Sequence, residues 1–197
     1  MLTDEMLTAQ ILAGEIAAFE ELINRYKKSV FTIVYRMTGQ YQDAEDISQE
    51  VFLAVYQKLY QFDPQKKFAP WIHRIAVNTC ISALRRKNKF TLINYDGSLL
   101  SRNNLTDPTE HGNPLAAVER RELQAEIQAA LRRLPANYQA VLILRYQLDL
   151  NNQEIADTLG VTKKHVEVNI HRARKTLQKI LTKKSKGEGM PDALPGG

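Results

Sequence analysis

The stretch from Pro64 to Lys89 holds seven basic residues (Lys66, Lys67, Arg74, Arg85, Arg86, Lys87 and Lys89) and no acid. A field of one sign attracts a partner of the other. Phe68 and Trp71 interleave flat rings that suit an unstacked base, Asn78 adds an amide, and the Lys and Arg side chains suit phosphate. The chemistry on offer is recognition of nucleic acid, with no bond made or broken. The same residues also suit a core tryptophan on a helix ending in a solvated basic turn, where the helix dipole favours cations. An acidic set precedes them: Asp43, Glu45, Asp46, Gln49 and Glu50. On a helix Asp46 and Glu50 form a like-charge i,i+4 pair that costs about 0.2–0.5 kcal/mol. Stabilisation by the helix N-terminus covers Asp43, Glu45 and Asp46 but reaches Glu50 poorly. The other reading is an acidic face that docks on a basic partner helix.

Catalytic arrangements are missing. The sequence has no Gly-x-x-x-x-Gly-Lys phosphate loop, no His-Glu-x-x-His and no nucleophile elbow. His73, His111, His165 and His171 share no metal-ligand spacing with one another or with Cys80. We therefore expect no catalytic residue, no metal, no cofactor and no small-molecule substrate. Cys80 is the single cysteine, which excludes an internal disulfide, fits a reducing cytosol and reads as a small buried helix residue.

The elements that carry these sets follow from periodicity. Asp4 can cap a short helix that breaks at Gly14. Phe19, Leu22, Ile23, Tyr26, Val30, Ile33, Val34 and Met37 then recur at three and four, a long amphipathic helix or two in line, ended by Gly39. A helix from about Gln42 buries Ala44, Ile47, Val51, Val55, Leu59 and Phe62 behind the acidic face. Pro70 suits the start of the next, on which Trp71, Ile72, Ile75, Ala76, Thr79 and Ala83 pack while His73, Arg74, Asn78 and Arg85 point elsewhere. From Asn88 to Pro114 glycine, proline, Asn, Ser and Thr crowd without a period, which marks a linker. Helices resume with Val118, Leu123, Ile127, Leu131 and Leu134 up to Pro135, then Tyr138, Val141, Leu142 and Arg145.

Between residues 151 and 170 the spacing is that of a helix-turn-helix. Ile155, Ala156 and Leu159 face inward on a short helix, Gly160 turns the chain, Val161 plugs the turn and Thr162 caps a longer helix. On that helix Val166, Ile170, Ala173 and Leu177 fall on one line, which sends Lys164, Val168, His171, Arg172 and Lys175 to the opposite side. An outward Val168 amid positive charge suits a major groove. Lys163, His165, Glu167 and Arg174 complete the candidate DNA set.

Charge distribution agrees with two functional poles. Residues 1 to 63 carry ten acids and five bases, and residues 163 to 186 carry nine bases and one acid, within a net charge of +5. No apolar run approaches membrane-spanning length, and acids stand near the start where a signal peptide would have bases. The expectation is a cytoplasmic protein without direct membrane insertion. Its fold class is all-α, as two small helical domains on a flexible linker: 1–89, linker 90–114, helix-turn-helix domain 115–183, and a disordered tail 184–197.

In these residues the chain resembles the extracytoplasmic-function, or group IV, sigma factors of bacterial RNA polymerase, within the sigma-70 family. The front half is similar in Ala18-Phe19, Tyr35-Arg36-Met37, the run Asp43 to Phe52, and Phe68 with Trp71 to Asn78. The back half is similar in Leu134-Pro135, Val141 to Arg145, Glu154-Ile155-Ala156, Leu159-Gly160-Val161 and His171 to Lys175. The resemblance implies that Asp43, Glu45, Asp46, Gln49 and Glu50 dock on core RNA polymerase. It implies that Lys66, Lys67, Phe68, Trp71, Arg74, Asn78, Arg85 and Arg86 open the start-proximal promoter element and read its non-template single strand. The helix-turn-helix would read the upstream element as duplex, the linker would thread through the polymerase, and an anti-sigma factor would hold the free form silent. A helix-turn-helix regulator independent of core polymerase, or a module that sequesters a partner, are the rival readings. The chain departs from the family pattern at Pro70, at Ser82, and at Glu167-Val168-Asn169 where Lys-Ser-Arg is common. That substitution predicts weaker phosphate attraction, with Glu167 able to accept from cytosine, Val168 to touch a thymine methyl and Asn169 to pair with adenine.

Overall fold

The computed structural model describes residues 2–93 and 114–187, with side chains for 2–87 and 122–182. Every regular element among the described residues is helical: α1 Asp4–Leu12, α2 Ile16–Thr38, α3 Tyr41–Lys58, α4 Phe68–Ile93, α5 Pro114–Arg132, α6 Ala136–Tyr146, α7 Asn152–Leu159 and α8 Lys163–Gly187, with a 3-10 turn Leu59–Gln61. Two expected boundaries move. α4 continues past residue 89 to Ile93 because neither glycine nor proline interrupts it after Pro70, and α8 likewise reaches Gly187. Most of the expected linker and all of the tail beyond residue 187 lie outside the described residues.

α1 is capped by Thr3, whose Oγ1 accepts from the Met6 amide at 3.2 Å. Asp4 is used otherwise: its carboxylate accepts from Arg25 Nη1 at 2.7 Å and from the Tyr26 hydroxyl at 2.5 Å, fastening α1 to α2. Burial, then the bond to Asp4, raises the Tyr26 pKa. α2 ends at Gly39, whose left-handed φ of 75° is open to a residue without a Cβ. Leu22, Val30, Ile33, Val34 and Met37 of α2 meet Ala44, Val51 and Val55 of α3 and Ile72, Ala76 and Cys80 of α4 in the front core.

In the back half α6 buries its whole Ala140 to Leu144 run. α7 opens with a capping box: Asn151 Oδ1 accepts from the Gln153 and Glu154 amides at 2.9 and 3.1 Å, and the Asn151 amide donates to Glu154 Oε2 at 2.8 Å. Gly160 closes α7 at φ 66°, and Thr162 Oγ1 accepts from the His165 amide to begin α8. Val161, expected to plug the turn, is instead exposed, at 36%.

The two halves do not stand apart. α2 packs on α5 and α6, α4 packs on α7, and the buried apolar cluster runs through both. Periodicity within each helix specifies its own inner face but says nothing about which helix of the other half will cover it.

Candidate docking and nucleic-acid interfaces

The outward face of α3 carries the acids. Asp46, Gln49 and Glu50 are exposed, Asp43 and Glu45 are half-buried, and Ala44, Ile47 and Val51 are buried opposite. Gln42 Nε2 donates to Asp46 Oδ1 at 3.4 Å, and Glu45 accepts from Tyr41 and so raises that hydroxyl's pKa. The stripe continues through Leu53, Tyr56 and Tyr60, exposed by 58%, 54% and 71%, so a polar face grades into an apolar one. Sequence reasoning singled out only the acids and Gln49. The signal for the rest was their spacing of three and four from Gln49.

The acidic and basic sets, assigned to different partners, touch each other. Lys87 Nζ lies 2.7 Å from Asp43 Oδ2, and Arg86 Nη2 lies 3.0 Å from Glu50 Oε2. These pairs bind the end of α4 to the side of α3.

Of the residues assigned to melted promoter, Lys66, Lys67, Arg74, Asn78, Arg85 and Arg86 are exposed. Phe68 is a correction: it is 1% exposed, with ring centroids 5.4 Å from Tyr26, 5.2 Å from Phe62 and 5.4 Å from Trp71. It is a core ring with no face for a base. Trp71 is half-buried on Phe62 and Phe68, so it is not a free platform. His73, expected to point outward, is buried, with Nε2 3.1 Å from Ser29 Oγ and Nδ1 without a hydrogen-bond partner. Burial lowers its pKa from 6.5 to about 4. The reason for both corrections is that α4 is packed by α2, α3 and α7 at once, which widens its buried arc beyond a single stripe. Cys80 is buried and its thiol pushed up to about 12, which leaves it without thiolate character.

On α8 the wheel separates exposed from buried residues largely as expected. Lys163, Lys164, His165, Val168, His171, Arg172 and Lys175 are exposed, and Val166, Ile170 and Ala173 are buried. Asn169 is a correction: at 8% exposure it lies three residues from Val166 and four from Ala173, on the inner line, and cannot reach a base edge. Glu167 is exposed but accepts from Asn152 Nδ2 at 3.4 Å, beside a cavity of about 250 Å³ lined by Arg145, Asn152, Glu167, Ile170, His171 and Arg174. It is drawn toward the start of α7 and toward bases of its own chain. Arg174 lies over the Tyr146 ring, 5.4 Å from its centroid, and donates to the Tyr146 hydroxyl. Among the described residues no cluster of His, Cys, Asp and Glu could hold a metal ion, and no helix is long and apolar enough to cross a membrane.

A helix-turn-helix with an exposed basic face, on a helical body with a separate acidic face, defines a DNA-binding protein that also grips a protein partner. The family models agree: residues 22–90 match Sigma-70 region 2 and residues 124–177 match Sigma-70, region 4. The chain is 33% identical over 176 residues to the ECF RNA polymerase sigma factor SigW of Bacillus subtilis, covering 87% of this chain and 93% of that one. It is 32% identical to the ECF RNA polymerase sigma factor SigE of Mycolicibacterium smegmatis, covering 85% of this chain and 63% of that longer one. Among solved structures, CnrH in complex with the cytosolic domain of CnrY is similar at a TM-score of 0.65 and 25% identity, over 91% of this chain and 97% of that one. The sigma factor RpoE of Bartonella quintana, in complex with the anti-sigma factor NepR, shares the fold at a TM-score of 0.64 and 20% identity, over 83% of this chain and 96% of that one. The chain belongs to the ECF RNA polymerase sigma factors, which makes it a transcription initiation factor that acts with core polymerase on promoter DNA.

Proposed function

We propose a division of labour among the surfaces of this sigma factor. Asp46, Gln49 and Glu50, continued by Leu53, Tyr56 and Tyr60, dock on core polymerase. Lys66, Lys67, Arg74, Asn78, Arg85 and Arg86 attend the single-stranded start-proximal element, with half-buried Trp71 in support. Lys164, His165, Val168, His171, Arg172 and Lys175 read the upstream duplex. The observation that carries this reading is the segregation on α8, where basic residues and one valine are exposed on one side and Val166, Ile170 and Ala173 are buried on the other. We place the working units at 1–89 and 115–183, joined by 90–114. The protein itself makes no bonds; the polymerase supplies catalysis, in the cytoplasm. Control by an anti-sigma factor is proposed from RpoE, which is seen bound to NepR. Such a partner would cover the exposed stripe of α3.

Run-off transcription with purified core polymerase tests the assignment. The wild-type chain should yield a promoter-specific transcript. Charge reversal in D46K/E50K should abolish it while duplex binding by α8 persists; a retained transcript would remove the docking role from these acids.

A further inference from the structure

The exposed side of α8 is basic except at one flank, where it carries an acid. Glu167 is the fifth residue of α8, three after Lys164, next to Val168 and four before His171, and like them it is exposed. Residues near the start of the second helix of a helix-turn-helix are the ones that meet base edges. Glu167 Oε1 accepts from Nδ2 of Asn152, the first residue of α7, at 3.4 Å. Among the described residues Glu167 has no other hydrogen bond and forms no ion pair. Its second carboxylate oxygen is an acceptor with no partner in the protein, and a carboxylate has nothing to donate. It has no attraction for phosphate either, so any favourable contact of Glu167 with DNA falls on a base.

An acid near a polyanion needs cations beside it. Arg145 and Arg174 line the same cavity as Glu167 and Asn152, so two guanidiniums offset the carboxylate on its protein side. Half-buried Asn152 commits an Nδ2 hydrogen to Glu167, which ties the carboxylate to the start of α7. We propose that Glu167 is a specificity-determining residue for the upstream duplex, accepting a hydrogen bond from the N4 amino group of one cytosine in the major groove. Asn152 is the positioning residue that holds its carboxylate for that contact. The proposal rests on the reading of α8 as the helix that enters the groove, and it names the base that one side chain selects there.

The choice of base follows from what each edge presents in the major groove. Guanine offers N7 and O6 and thymine offers O4, all acceptors that repel a carboxylate. Adenine offers its N6 amine with the N7 acceptor beside it, which suits an amide side chain better than an acid. Cytosine offers an amine and no acceptor of its own.

The test assembles the full chain with core polymerase on a pool of promoter duplexes randomised across the upstream element and sequences the bound molecules. Wild type should prefer cytosine about tenfold at one position, the low end of a single base contact. E167A should flatten that position and leave the others unchanged. E167Q should move it toward adenine, because an amide can pair with N6 and N7 together. N152D removes the donor to Glu167 yet places an acid at a helix start, where the dipole stabilises it. It should lower the cytosine preference without altering the other positions. Profiles of E167A and E167Q that match wild type, a flattened position whose base was not cytosine, or a change spread over every position overturns the base contact. A wild-type profile in N152D overturns the positioning role. Failure of the underlying reading would look different: a wild-type holoenzyme that enriches no upstream sequence at all removes α8 from the groove, and the cytosine contact with it.

Discussion

α4 and α8 are helices of 26 and 25 residues, both basic, and they dispose of their charge in opposite ways. On α4 the basic end folds back onto acids of α3, and the aromatic and imidazole groups at its start are packed inside. On α8 the bases from Lys163 to Lys179 are exposed, and among the described residues no acid pairs with them. The difference comes from how the neighbours are arranged, since each helix has three. α4 meets α2, α3 and α7, whereas α5, α6 and α7 leave the Lys164, Val168, His171, Arg172 and Lys175 side of α8 open to solvent. A basic stretch therefore marks a nucleic-acid surface only where packing leaves its groups outside, and α8 meets that condition more fully than α4.

The largest expected effect sets Phe68 against Val168. Phe68→Ala should destabilise the fold by about 3–5 kcal/mol, measured by urea unfolding, because it empties a buried ring site. Val168→Ala should leave stability within about 0.5 kcal/mol while weakening upstream duplex binding. A stable Phe68→Ala that fails only in promoter melting would return the ring to base stacking. His73 comes next. Above pH 6.5 both folded and unfolded states hold it neutral; as pH falls from 6.5 to about 4 the unfolded chain takes up the proton first, so stability is lost through that window, on the order of 3 kcal/mol in full. Urea midpoints of wild type and His73→Gln across this range should diverge, and parallel curves would contradict the buried neutral ring.

Smaller effects test the surface charges. Glu167→Lys in the full chain should steepen the salt dependence of duplex binding by about one unit of log-log slope, since it adds a phosphate-reaching cation where an acid now faces Asn152. An unchanged slope would place residue 167 away from the backbone. Arg86→Ala should cost about 0.2–1 kcal/mol in thermal stability, the range of exposed ion pairs. A much larger loss would mean that the α3–α4 charge contact organises the front half rather than decorating it.

Much of this was legible from residue order. The helices, the turn at Gly160, the caps at Gly39 and Thr162, and the outward side of α8 follow from a 3.6-residue period and from residues whose backbone preferences are local. The Asn151 and Glu154 capping box was also there to be read. Phe68, His73 and Asn169 were not, because their burial depends on a second or third helix arriving over a position that one wheel leaves at its margin.

The amino-acid order by itself determined an all-helical chain with an acidic face, a basic stretch and a last helix with one exposed basic side, since each rests on interactions spanning a few residues. Only the tertiary structure decided that Arg86 and Lys87 answer the acids of α3, that Arg74 rests on Gly160, and that Gln128 and Gln139 close the end of α2. Those partners lie between 36 and 103 positions apart in the chain, and no local preference of either residue encodes a meeting at that distance.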